Sequence, residues 1–459
     1  MSGHAAGALS ADERAPALIR SDLAELLRLA GPVVASRVGV MTMGLTDTIV
    51  VGRFSAVELG YQALAWSLVS VVLVTAMGLL GGVQVMASRA MGEGRPKEAG
   101  AALRRGVVYA FWIGLTSTLV LLAAGPPLLH VSGISKALAD GATPPMIALA
   151  LSLPVYCVSV AGGSWLEGLG RPRPVVVFMA LANVVNLAVN LVLVPGHFGL
   201  PALGATGASV ATCVSRVFLT ILVLAYVSRM PDARALGVFD KPHPDRARAA
   251  EQRRIGYGNG ASSFFEVAAF SAMTFIAGSI GALVVAAYTV VLNVVSFVFM
   301  FPLGLATATA VLVGRAYGAR KPAALNRAAF IGFAVTLIFG LIAVAIIWPT
   351  APLIAQGYTS DPATIAMGGA GLVLACWFLT PDALQVVTAQ CLRARGDVLV
   401  PTITHLASYI LVMAPLGWFL AIRLNWRISG IVIAITVASF LSAGLLLGRF
   451  WMLARRNEV

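Results

Sequence analysis

Apolar runs of about twenty residues recur along the whole chain, each closed by a short stretch rich in arginine, proline or glycine. A helix of that length crosses the roughly 30 Å hydrocarbon layer of a bilayer. Twelve windows predict spans near 28–51, 63–87, 105–128, 143–165, 174–196, 204–228, 257–281, 285–312, 329–351, 364–390, 399–422 and 428–452. Periodicity thus gives an all-α polytopic membrane protein.

Composition agrees: 59% of the 459 residues are hydrophobic and 11% charged, against about 25% charged in soluble domains. The net charge of +13 would suit a nucleic-acid binder, but its distribution points elsewhere. Of the 32 Lys and Arg, 26 fall in the N-terminus, the even-numbered loops or the C-terminus; Arg53, Lys136, Arg423 and Arg427 fall in odd loops, and Arg37 and Arg216 within spans. That alternation follows the positive-inside rule through twelve crossings and predicts that both termini are cytoplasmic. Residues 1–27 hold Asp12, Glu13, Asp22 and Glu25 without an apolar core, so they read as a short cytoplasmic tail rather than a cleavable signal peptide. Residues 453–459 read as a C-terminal tail. Cys157, Cys213, Cys376 and Cys391 show no CxxC spacing and read as buried thiols acting as small apolar packers.

An offset of 226 positions lays one half of the sequence on the other. Ser70, Gly78, Arg89, Ala90, Gly92, Pro96 and Gly106 fall on Ser296, Gly304, Arg315, Ala316, Gly318, Pro322 and Gly332 without a gap; Gly52, Leu166 and Gly170 fall on Gly278, Leu392 and Gly396. Six spans separate the copies, so both enter the membrane in the same sense, as a parallel repeat about an axis along the membrane normal. The expected architecture is twelve transmembrane helices in two pseudo-symmetric six-helix lobes, 28–228 and 257–452. The linker 229–256, with Pro231, Pro242 and Pro244, reads as a flexible surface connector.

Three carboxylates stand inside these spans: Asp47, Glu266 and Asp382. An ionised side chain at membrane depth costs roughly 2.5–3.5 kcal/mol on insertion scales, so it persists mainly where it faces a protein interior or a watery path. None obeys the repeat, since the offset pairs Asp47 with Met273, Glu266 with Val40 and Asp382 with Tyr156. Such groups can hold Na⁺ through hard oxygens or take up a proton. Plainer roles exist for each: a static pair with an intramembrane arginine for Glu266, a cap on a helix broken at Pro381 for Asp382, a solvated acid near the interface for Asp47.

Asn183, Asn186 and Asn190 share a helical face in span five. Their amides suit either a polar cavity wall or helix–helix contacts. Asn293 stands alone in span eight. Arg37 can snorkel to the surface, whereas Arg216 is central enough to need a partner or water. Trp66 and Trp377 can stack on flat or cationic ligands or simply pack. Gly78–Gly82 sits where small residues let helices approach closely. No phosphate-binding Gly loop, HExxH or GxSxG motif is present, so enzymatic chemistry is not expected.

These residues resemble the multidrug and toxic compound extrusion (MATE) family, in particular its NorM-like branch, from roughly Leu27 to Arg449. The resemblance rests on Gly44-Leu45-Thr46-Asp47-Thr48 with Gly52, on Gly168-Leu169-Gly170-Arg171, and on Val185-Asn186 with Asn190. It continues through Phe264-Phe265-Glu266-Val267, Leu292-Asn293 with Phe299-Met300-Phe301-Pro302, and Asp382-Ala383-Leu384-Gln385-Val386-Val387. It implies two lobes that open alternately to either side of a bacterial-type inner membrane and export polyaromatic, often cationic compounds in exchange for Na⁺ or H⁺. It also implies a monomer in the lipid bilayer, with no cofactor beyond the coupling ion. Carried over by position, Glu266 and Asp382 match the cation-site acids and are the Na⁺ candidates, Asp47 matches the first-lobe acid, and Asn186, Asn190 and Asn293 match polar cavity or cation-site positions. Phe378 stands where some relatives have tyrosine, and Tyr288-Thr289 where many have a His-Gln pair; both bear on the cation shell. Two alternatives stay open: a lipid-linked oligosaccharide flippase of the same broad superfamily, for which a strongly cationic cavity would be expected, and a channel-like protein without coupling.

Overall fold

The computed structural model describes residues 11–131, 135–241 and 245–456, all of them helix or short connection. Pro242, Pro244, the first ten residues of the N-terminal tail and residues 457–459 lie outside the described residues. The helices are α1 (Ala11–Phe54), α2 (Ala56–Leu79), α3 (Gly81–Gly92), α4 (Pro96–Val131), α5 (Lys136–Leu151), α6 (Leu153–Gly168), α7 (Arg173–Leu193), α8 (Gly204–Arg229), α9 (Arg246–Ile280), α10 (Ala282–Gly318), α11 (Pro322–Tyr358), α12 (Pro362–Ala394), α13 (Leu399–His405), α14 (Ala414–Trp418) and α15 (Arg427–Arg455). Two π-helical stretches, Leu406–Met413 and Phe419–Arg423, join α13 and α14 into one span.

Among the described residues eleven spans are long and apolar enough to cross a bilayer, one of them formed by α2 and α3 together, and α5 with α6, bent by 44°, makes a twelfth crossing. Helices suit this solvent because every backbone group inside the hydrocarbon finds its partner within the same segment. An even number of crossings brings the start of α1 and the end of α15 to one face, called here the terminal face.

The repeat is visible in the backbone. Gly170 and Gly396, related by the 226 offset, both take left-handed φ values, +75° and +96°, in the turns that end α6 and α12. A residue with a Cβ would be strained there. One packed apolar cluster fills the first half, from Met43 to Leu236, and another the second half, from Ala269 to Ala438. A third lies toward the terminal face, where Leu26, Leu29 and Ala30 of α1 pack among α10, α11, α12 and α15.

The halves meet through glycines on repeat-related surfaces. A Cβ on Gly78 would lie 2.8 Å from Gly260 Cα, and one on Gly304 would lie 2.3 Å from a Val34 methyl carbon. These contacts, α2 on α9 and α10 on α1, are two copies of one interface, because Gly78 corresponds to Gly304 and Val34 to Gly260. Small residues let the backbones approach where lipid offers no hydrophobic drive.

Two segments are more ordered than their composition suggested. Helix α1 begins at Ala11, so much of the expected tail is a helical extension. In the connector, Met230, Ala233 and Leu236 are buried against the first half. Its backbone is held there: Gly100 N–H donates to Leu236 O at 3.1 Å, Arg104 donates to Gly237 O, and Arg171 pairs with Asp232 at 2.6 Å. Helix α9 then starts at Arg246, capped by the Asp245 carboxylate, which accepts from Arg248 N–H. Flanking proline and charge mark a surface segment but carry no information on whether its few apolar residues find a groove.

Candidate functional site

Helices α1, α7 and α8 bring four polar side chains to one buried point. Asp47 is 6% exposed. Its Oδ1 accepts from Asn186 Nδ2 at 3.0 Å and Asn190 Nδ2 at 2.7 Å, and its Oδ2 accepts from Thr212 Oγ1 at 2.6 Å. The spacing of 186 and 190 puts both amides on one face of α7. Asn183, a turn earlier, donates instead to Gly39 O at 3.0 Å and ties α7 to α1. The three asparagines therefore divide between site and scaffold. Asn186 Oδ1 and Asn190 Oδ1 are buried without a partner, which leaves two hard oxygens beside the carboxylate, ligands suited to an alkali cation.

The second half holds a different arrangement. Asp382, 3% exposed, lies on α12, which runs unbroken through Pro381; the expected helix break is absent and the side chain caps nothing. Tyr409 Oη and Ser439 Oγ each donate to its Oδ1 at 3.3 Å, long contacts for hydroxyl donors. A cavity of about 10 Å³ between α10, α11 and α12, walled by Phe299, Pro302, Phe339 and Leu379, reaches Asp382. That is room for one water-sized particle. Glu266 on α9 is half-buried.

Both intramembrane arginines are engaged. Arg216 donates to Ser152 Oγ at 2.7 Å and lies over the Tyr156 ring, 4.5 Å from its centre. Arg37 pairs with Glu167 at 3.1 Å. Glu167 is a third buried carboxylate, 3% exposed, two residues past the predicted end of span four. Arg393, read from sequence as a loop residue, is 2% exposed in the last turn of α12 and donates to Ser262 Oγ at 2.7 Å. The 226 offset places Glu167 on Arg393, an acid in one half and a base in the other. Comparing charges at offset-related positions would have found both.

The other candidates are scattered. Asn293 is exposed on α10, its amide donating to Thr289 O at 2.9 Å. Trp66 is exposed on α2. Trp377 meets Trp348 of α11 edge to face, 6.4 Å between centres, and is not brought to the acids. Phe378 is 1% exposed, one turn from Asp382. Of the thiols, Cys157, Cys376 and Cys391 are buried, and Cys213 is half-buried with its Sγ 3.0 Å from Ala148 O.

A duplicated twelve-span bundle with buried carboxylates in each half has the architecture of a membrane transporter. Solved structures share it: the chain superposes on the crystal structure of eukaryotic MATE transporter AtDTX14 with a TM-score of 0.88 at 20% identity, covering 96% of this chain and 99% of that one. It superposes on an outward-facing multidrug resistance MATE family transporter of the MOP superfamily with a TM-score of 0.86 at 20% identity, covering 96% and 98%. The MatE family model matches residues 32–192 and again 260–419, once in each half. The chain belongs to the MatE family. It is 57% identical to a probable multidrug resistance protein NorM from Caulobacter vibrioides over 99% of this chain and 96% of the relative. It is 30% identical to multidrug resistance protein PmpM from Pseudomonas aeruginosa over 89% and 86%.

Proposed function

We propose that the protein is a multidrug efflux antiporter that exchanges polyaromatic, often cationic compounds for Na⁺ or H⁺ by alternating access of its two lobes, 28–228 and 257–452. The observation that carries this reading is the burial of Asp382 among packed helices of the second half, with a second carboxylate, Glu266, half-buried on α9 of the same half. Uptake of a cation there neutralises a charge that burial disfavours. An inward-negative potential contributes about 2.3 kcal/mol per charge per 100 mV to that entry. For the ion to drive the cycle it must bind one lobe arrangement more tightly than the other. Asp47, in its cage of Asn186, Asn190 and Thr212, is a second cation point in the first half.

The structure is clasped on the terminal face, where Val34, Gly78, Gly260 and Gly304 lie. With the termini cytoplasmic and the protein a monomer in the inner membrane, the clasped state is the outward-facing one. Substrate is taken to enter between the halves, with the exposed Trp66, Phe264, Phe297 and Asn293 as its candidate contacts. A flippase reading fits less well, because Arg37 and Arg216 are spent on Glu167, Ser152 and Tyr156 instead of lining a cationic cavity. An uncoupled channel is disfavoured by the clasp.

The test is dye efflux from proteoliposomes under separately imposed Na⁺ and H⁺ gradients. Glu266→Gln and Asp382→Asn are expected to insert normally and lose cation-driven efflux. Undiminished efflux by both variants would falsify the assignment.

A further inference from the structure

Beyond Asp382, toward the terminal face, the second half contains a column of buried polar groups that packing alone does not account for. Three segments contribute to it, and each places a polar side chain about one turn past the level of Asp382. On α12 this is Gln385, fully buried beside the carboxylate. On α15 Ser442 follows Ser439, and Ser442 Oγ is buried without a partner. On the span that starts with α13, His405 and Ser408 precede Tyr409; His405 is 2% exposed with neither ring nitrogen paired, and Ser408 Oγ is unpaired as well.

The column has a charged residue at each end. Tyr409 donates to Asp382, and its ring lies 5.6 Å from that of His405. Arg393, whose Nε is buried without a partner, lies about two turns beyond Gln385 on α12 and is tied by Nη2 to Ser262 on α9. The π-helical turn from Leu406 to Met413 widens the helix here, a feature that recurs at functional sites. A buried polar atom left alone is costly, so a row of them in a packed bundle calls for something small and polar to satisfy it.

We propose that this column is a hydrated path through the second half, from Asp382 past His405 to Arg393, along which the coupling ion leaves as a proton toward the terminal face. The proposal rests on the antiporter reading and specifies its ion. The Asp382 O–H gives its proton to the column, hydroxyls and imidazole pass it on through hydrogen bonds, and bulk water on the terminal face receives it. Only O–H and N–H bonds break and form. A sodium ion would need hard oxygen ligands along the whole route, and the His405 imidazole and Arg393 guanidinium supply none. The titratable and charged groups facing the column are Asp382, Glu266, Tyr409, His405 and Arg393.

Two measurements test this. Radiolytic hydroxyl-radical labelling of the reconstituted wild-type protein is expected to mark His405 and Tyr409 rapidly in spite of their burial, because bound water is the radical source. His405→Phe, which fills the site with an apolar ring, is expected to slow H⁺-driven dye efflux several-fold with dye affinity unchanged, while His405→Gln keeps most of the rate. Absence of labelling at both residues overturns the path, as does full H⁺-driven efflux by His405→Phe. Wild-type efflux that responds to Na⁺ gradients alone overturns the path and leaves the antiporter standing; efflux that responds to neither gradient removes the antiporter itself.

Discussion

Arg89 and Arg315 occupy the same place in the two halves and make the same contacts across the interface. Arg89 pairs with Glu251 at 2.5 Å and donates to Ala394 O at 2.8 Å, at the end of α12. Arg315 pairs with Glu25 at 2.9 Å and donates to Leu169 O at 2.7 Å, at the end of α6. Glu25 and Glu251 are themselves 226 positions apart. Each arginine thus neutralises an acid on the first helix of the other half and caps a helix C-terminus there, where a cation is favoured. The glycines three residues on complete the match: a Cβ on Gly92 would lie 2.0 Å from Arg315 O, and one on Gly318 would lie 2.2 Å from Arg89 O.

This double clasp has to part before the terminal face can open. Gly92→Val inserts atoms where backbone carbonyl already sits, and Arg89→Ala with Arg315→Ala removes both caps. Either change is expected to shift the population toward the form open on the terminal face. Electron-spin distance measurements between labels at positions 95 and 320 should show a longer component grow in; an unchanged distribution would show that the clasp does not hold the state.

The Arg37–Glu167 pair lies inside the first half, the two side chains 24% and 2% exposed. Removing one partner of a buried pair costs roughly 3–5 kcal/mol, and the partial exposure of Arg37 places this one toward the lower end. Arg37→Met is therefore expected to destabilise the protein markedly, and Arg37→Met with Glu167→Leu to recover much of the loss. Denaturation in detergent reads the difference. A double variant as unstable as the sum of the singles would count against direct coupling.

Thr212→Val removes the hydroxyl that donates to Asp47 at 2.6 Å. A hydrogen bond to a charged group contributes about 1.5–3 kcal/mol, so a loss of that order is expected. In the Asp47→Asn background the same change should cost much less, because its acceptor is no longer charged. Additive losses in a double-mutant cycle would rule out an ionised Asp47.

The docked connector should respond to acid. Arg171 hydrogen bonds hold the Asp232 carboxyl below its usual value of 3.8. A depressed carboxyl contributes stability above the unfolded-state value, and that contribution fades as pH falls through the folded one. The pair is partly exposed, so the effect is modest. Hydrogen exchange of the Ala233–Val238 amides, corrected for intrinsic rate, should quicken as pH drops below about 4, and Asp232→Asn should exchange at the faster level throughout.

The sequence by itself determined the crossings, the duplication and the face shared by Asn186 and Asn190, since apolar run length, a fixed offset and helical period are all local or additive properties of the chain. It also marked Asp47, Glu266 and Asp382, because a charge inside an apolar window is visible without knowing its neighbours. Only the tertiary structure decided what each charge meets. Glu167 and Arg393 fall at the ends of hydropathy windows and look like loop residues until helix packing buries them against Arg37 and Ser262, each more than a hundred positions away. Glu25 and Glu251 look like solvated charges on a tail and a linker until both helices extend far enough to cross onto the other half. Burial and pairing at such separations depend on where one helix lies against another, and no window along the chain contains that distance.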